Sequence, residues 1–154
     1  MLKALTASDW NPRTAAHLLA RAGFGGTPAE IQRFAALGLE AAVDALVDYE
    51  QIPDPTPPPD WAQPDSARAE QLVAMRDASP ERRREMQRAQ QALQRDHLLD
   101  LRAWWLRRML HGPRPLQEKL TLFWHGHFAT SFVKVRDAYL MWRQNETLRR
   151  HASG

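Results

Sequence analysis

The sequence predicts an all-α protein, an irregular multi-helix bundle of about six to seven helices with one Pro-rich connecting loop. Three observations carry this prediction. Helix-start residues recur ahead of segments whose apolar residues are spaced by three or four, and Gly closes several of those segments. No run alternates with period two, so no strand is expected. No segment repeats.

Asn11-Pro12 reads as an N-cap followed by a first-turn proline, whose missing N–H costs nothing there. Ala15, Ala16, Leu18, Leu19 and Ala22 give that helix an apolar stripe, and Gly23 ends it. Thr27-Pro28-Ala29-Glu30 is a capping box opening a second helix, with Ile31, Phe34, Ala35 and Leu37 inward and Gly38 as its stop. A third helix is expected from Leu39 to Tyr49, facing inward through Val43, Leu46 and Val47.

Ile52 to Pro64 holds six of the 11 prolines and cannot be helical. Residues 50–65 read as an extended linker within one helical domain spanning 1–154, tied to the core by Trp61. A PxxP ligand for an aromatic groove is the sharper alternative. Helix resumes near Asp65 and runs to Ala78, and Ser79-Pro80 starts a helix of about 30 residues that Gly112-Pro113 ends. Glu81 to Arg95 should be solvated, with Leu98, Leu101, Trp105 and Met109 buried. From Pro115, the residues Leu116, Leu120, Phe123, Trp124 and Phe128 share one predicted inner face. A last helix is expected over Arg136 to His151, anchored by Ala138, Met141, Trp142 and Leu148.

Composition bounds the function. A chain of 154 residues fits one domain with a sizeable core. There is no Cys, which excludes disulfides, thiol catalysis and zinc–thiolate sites. The net charge of +3 is a weak field despite a pI near 9.8, so nucleic acid is not expected as a partner. No apolar stretch is long enough for a membrane span, and Met1 to Thr6 lacks a signal-peptide core, so the chain as written reads as cytoplasmic or already processed.

The chemistry centres on Phe123-Trp124-His125-Gly126-His127-Phe128, two imidazoles framed by aromatic rings. On a continuous helix His125 and His127 diverge by about 200° and cannot share an ion, whereas an extended segment would let both hold one divalent metal. Gly126 is the expected break, as the left-handed residue past the helix end. His125 would then be favoured in its protonated form against the last carbonyls, with His127 folded back toward Trp124. The plain alternative makes one histidine a helix cap and the other a core residue. His17 and His97 are further ligand candidates by elimination, and His111 reads as a cap before Gly112.

A second constellation comprises Lys134, Arg136, Asp137, Arg143, Asn145, Arg149 and Arg150. Arg136, Arg143 and Arg150 are spaced by seven and would line one helix face. With Asn145, Arg136 and Arg143 form a candidate anion site, since guanidinium groups hold phosphate, sulfate or carboxylate in a two-pronged fashion. They could equally pair with carboxylates on a neighbouring helix. Glu81-Arg82-Arg83-Arg84 reads as a solvated face, because no aromatic is interleaved for base stacking. Phe24-Gly25-Gly26 lacks the lysine of a phosphate loop.

Three ordered blocks carry a family resemblance. They are Ala16-His17-Leu18-Leu19-Ala20-Arg21-Ala22-Gly23-Phe24-Gly25 with Thr27-Pro28-Ala29-Glu30, then Lys119 to Thr130, then Lys134-Val135-Arg136-Asp137 with Leu140 to Arg149. Together they resemble the bacterial domain-of-unknown-function family numbered 1800. The resemblance implies a mostly helical protein of several hundred residues, often exported, with no assigned activity. It also implies a gene neighbour that looks like a sulfatase or alkaline phosphatase. The chain corresponds to the N-terminal portion of such a protein, so the missing C-terminal portion is its first expected partner. The leading expectation is a non-catalytic or incomplete helical module. The alternative is part of a metal-assisted hydrolase-like site, with His125 and His127 as ligands or proton carriers and Arg136 and Arg143 steadying an anionic substrate.

Overall fold

A computed structural model describes residues 4–64 and 66–154. Among the described residues there are eight α-helices, two short 3-10 turns and no strand. The Asn11 side chain accepts from the N–H groups of Arg13 and Thr14, opening α1 (Pro12–Ala22) at the expected cap. Thr27 and Glu30 exchange side-chain and backbone hydrogen bonds at the start of α2 (Pro28–Leu37). Gly38 turns the chain into α3 (Leu39–Val47) at φ 83° and ψ 167°, a region open essentially to glycine alone. Replacing Gly38 with Ala should therefore destabilise the fold by about 1–3 kcal/mol in urea unfolding. No loss of stability would show that this turn relaxes without glycine.

These three helices close over Ala15, Leu19, Phe34, Ala42 and Leu46, with Trp10, Leu18, Ala22, Ile31 and Ala35 packed around them. The Trp10 ring donates to the Ala35 carbonyl at 3.1 Å and seals one edge. The second core is Leu101, Trp104 and Met141, flanked by Trp61, Trp105, Phe132, Val135 and Trp142. It joins α5 (Pro80–His111) to α8 (Ala138–Arg150), with the single turn α7 (Phe132–Val135) beside it. The helix α6 (Pro115–His127) touches α1, α3, α5 and α8 and so links the two cores. Gly23 is buried at the α1–α6 joint, where a Cβ would lie 3.1 Å from both the Leu19 carbonyl oxygen and Pro115 Cβ.

The fourth helix, α4, covers Arg68–Asp77 and packs on α5, while its expected start at Asp65 lies outside the described residues. The Pro-rich stretch lies as a strap along α5. Trp61 Nε1 donates to Asp100 Oδ2 at 2.8 Å, as its expected anchoring role requires. Two further ties come from the helix side: Trp104 Nε1 donates to the Pro57 carbonyl at 2.8 Å, and Arg108 pairs with Asp54. Arg114 Nε holds the Ile52 carbonyl at 2.6 Å. Carbonyls of a proline-rich segment have few N–H partners of their own, so side-chain donors satisfy them here.

The inner faces of the last three long helices differ from the apolar stripes. On α5 the buried residues are Leu101, Trp104 and Arg108, while Leu98, Trp105 and Met109 are half-buried. On α6 they are Gln117, Glu118 and Thr121, while Phe123 and Phe128 are 59% and 55% exposed. The α6 face is thus rotated by about one residue, or 100°, from the predicted one. On α8 they are Ala138, Met141, Asn145 and Arg149, with Trp142 and Leu148 half-buried. The reason is one shared feature. Each helix places charged or amide groups inward to satisfy one another. No described helix is long and apolar enough to cross a membrane.

Candidate functional site

The helix α6 does not break at Gly126. It continues to His127, and the Phe128 N–H donates to the Trp124 carbonyl at 2.8 Å as the cap. The expected left-handed Gly126 is therefore corrected, as the backbone keeps its helical bonds one residue beyond it. A Cβ at Gly126 would meet nothing within 4 Å. Gly126→Ala should accordingly stabilise the protein by about 0.5–1 kcal/mol, read from the urea midpoint. A destabilised variant would restore the left-handed turn.

With the helix intact, the two imidazoles leave the axis about 200° apart, and their neighbours differ. His125 is half-buried with its ring 5.1 Å from that of Trp105. Burial pushes its pKa down, opposed by a hydrogen bond to its own backbone, which works against the protonated cap expected from the helix dipole. His127 is exposed and lies among rings, 6.2 Å from Phe123, 5.8 Å from Trp124 and 4.9 Å from Phe128. His127 meets Trp124 along one continuous helix, without the fold-back that a break at Gly126 would give. His17 and His111 are exposed on α1 and α5, and His97 stacks on Trp61 at 4.7 Å. Among the described residues no three His, Cys, Asp or Glu side chains converge as a metal-binding group.

The arginine row also divides. Asp137 accepts from the Leu140 N–H at 3.0 Å and caps α8 from outside, which leaves Arg136 between two helices at φ 54°, ψ 28°. Arg136 is therefore not on the last helix with Arg143 and Arg150. Arg143 lies over the Tyr139 ring at 5.9 Å. Asn145 is 1% exposed, and its Oδ1 accepts from Arg149 Nη2 at 2.6 Å, so it belongs to the interior and not to a surface anion site with Arg143.

That interior is a charge cluster centred on Glu118, itself 1% exposed. Glu118 Oε1 accepts from Arg108 Nε at 2.9 Å and Arg149 Nε at 2.7 Å. Its Oε2 accepts from Trp105 Nε1 at 2.8 Å and Arg149 Nη2 at 3.1 Å. Asp54 pairs with Arg108 and Glu146 with Arg149. The Trp104 ring stands 5.1 Å from the guanidinium carbons of both arginines, adding a cation–π contact to each. Burial by itself would raise the Glu118 carboxyl, but Arg149 and then Arg108 outweigh it and hold the pKa below 4.5. Asp54 is likewise lowered, with burial opposed by its Thr56 hydrogen bonds and by Arg108. The amide nitrogen of Asn145 and the Gln117 oxygen are buried here without a hydrogen-bond partner among the described residues. A carboxylate with its acceptor sites filled by fixed donors is poorly placed to move protons or receive a ligand. It joins α5, α6 and α8.

Glu118, Arg108 and Asp54 escaped the sequence reading, because an apolar stripe is blind to charges that satisfy one another inside. A signal was present. Asn145 and Arg149 continue the stripe Ala138, Met141 at i+7 and i+11, where an ordinary surface arginine would not fall.

Comparison with known families finds a match to the family described as "Protein of unknown function (DUF1800)", over residues 17–154. No curated protein and no solved structure matches the chain. The matched span includes the second core, the charge cluster, the aromatic segment and all of the first core but Trp10 and Ala15, and the chain belongs to the DUF1800 family.

Proposed function

We propose that this chain is a non-catalytic helical module, whose charge cluster locks three helices together and whose α6 end presents an aromatic contact face to further polypeptide of the parent protein. The observation that carries it is the ring ladder Phe123, Trp124, His127 and Phe128, with neighbouring centroids 4.9–6.2 Å apart and both phenylalanines more than half exposed. Contiguous exposed rings mark contact surfaces, since each leaves a large apolar area in water. Only Trp124 is pinned inward, donating to the Ala152 carbonyl at 2.8 Å. The downstream portion of the parent protein is the occupant that the resemblance implies. Hydrophobic-dye fluorescence tests this reading. The 154-residue chain should bind dye, and a Phe123→Ser/Phe128→Ser variant should lose that signal with its unfolding midpoint unchanged. A chain that binds no dye would refute it.

A second reading is favoured by one observation, the half-buried imidazole of His125 beside the Trp105 ring. In it His125 is a metal ligand or proton acceptor, His127 serves separately, and Arg136 and Arg143 steady an anionic substrate. Metal analysis of the purified protein, beside a His125→Ala/His127→Ala variant, decides it. Near-stoichiometric divalent metal lost in the variant would support this reading, and no metal in either would reject it. Partnership with a sulfatase- or phosphatase-like protein stays part of this second proposal.

A further inference from the structure

A cleft of about 490 Å³ opens between α4, α5 and the α7–α8 junction, and neither His125 nor His127 is among the residues lining it. Its volume lies within the range of small-molecule sites. Trp61, Gln90, Gln94, His97, Arg136 and Tyr139 are among the residues lining it. The lining has three chemical parts. Trp61 and His97 are stacked 4.7 Å apart at an interplanar angle of 7°, giving a flat wall. The glutamine amides are both donors and acceptors, and so suit hydroxyl groups, which are both as well. Gln94 spends its Oε1 on the Ala138 N–H at 2.7 Å, and its NH2 donors have no partner among the described residues. Arg136 is the charged part.

Arg136 is also the only non-glycine among the described residues with positive φ. A left-handed arginine carries strain, a feature that concentrates at binding sites. Its Nε donates to the Val133 carbonyl at 3.2 Å, and neither terminal nitrogen is bonded among the described residues. The same residue borders an adjoining hollow of about 370 Å³. Asp137 lines the cleft too, but its carboxylate is engaged in capping α8.

We infer that this cleft binds a hydroxylated carboxylic acid of sugar size, with its carboxylate held two-pronged by Arg136, its hydroxyls by Gln90, Gln94 and Tyr139, and its ring against the Trp61–His97 wall. The site goes beyond the contact-module reading and does not depend on it. Glucuronate is the probe, with glucose as the control that lacks the carboxylate. In a titration followed by amide and side-chain NMR, millimolar glucuronate should shift resonances of His97, Tyr139 and Arg136 saturably, with weaker binding of glucose. Arg136→Gly removes the guanidinium while placing at φ 54° the residue that best tolerates it, so the fold should survive. That variant should bind glucuronate about tenfold or more weakly, with its glucose response unchanged. Absence of saturable shifts, shifts centred elsewhere, or equal glucuronate affinity in Arg136→Gly would each overturn the proposal.

Discussion

Glu118→Gln is expected to lower the unfolding free energy by roughly 3–5 kcal/mol, because it leaves Arg108 and Arg149 as buried cations without their shared anion. Small domains have only about 5–15 kcal/mol in total, so the loss is a large share of the folding free energy. The size of the effect reflects the charges left behind, not the net worth of the intact cluster. Taking Arg108 and Glu118 out of water costs much of what their attraction returns. Replacing Glu118 with Leu and both arginines with Met should therefore recover much of the lost stability. Urea unfolding of the single and triple variants checks both statements. A Glu118→Gln loss below about 1 kcal/mol would mean that water reaches the cluster and screens it.

The same carboxylate sets an acid limit. Its folded pKa lies below the ordinary 4.5, so its stabilisation is fully present above pH 4.5 and is lost as pH falls through the lower folded value. Asp54 acts in the same direction, and His125 begins earlier. Its folded pKa is below 6.5, so folding is favoured in full above that pH and weakens as pH falls through the depressed value. Stability should thus decline on acidification in two stages, the first absent in His125→Ala.

Trp104→Ala is the second large effect, with an expected loss of about 3–5 kcal/mol. The ring is 7% exposed, joins Leu101 and Met141 in the second core, and faces both arginines. It also holds the Pro-rich strap through the Pro57 carbonyl. Trp104→Phe separates these contributions, retaining an aromatic ring while losing the N–H, and should cost about 1–2 kcal/mol. If Trp104→Phe proved as damaging as Trp104→Ala, the strap contact and not the core would dominate.

Local chemistry made the first half of the fold legible. Asn11, Thr27, Glu30, Ser79 and the prolines after them act over two or three residues, and those signals mark the starts of α1, α2 and α5. The faces of α6 and α8 depend on partners distant in sequence, Glu118 meeting Arg149 across 31 positions and Arg108 meeting Asp54 across 54. Apolar periodicity does not name the partners in such pairings, so it points Phe123 and Phe128 inward where Gln117, Glu118 and Thr121 lie. The aromatic segment was recognisable as unusual, but its geometry hinged on whether Gly126 breaks the helix, and a glycine near a helix end permits either course. Arg136 was visible as a candidate anion ligand only through its charge. Its separation from α8 follows from Asp137 acting as the cap.

The central claim is that the exposed rings of α6 are a contact face. The most direct test is sedimentation of the 154-residue chain over a range of concentrations, beside the Phe123→Ser/Phe128→Ser variant. With no downstream polypeptide to cover them, the rings are predicted to drive concentration-dependent association of the chain, and the variant is predicted to be monomeric and equally stable. A chain that stays monomeric throughout, or a variant that associates equally, would contradict it.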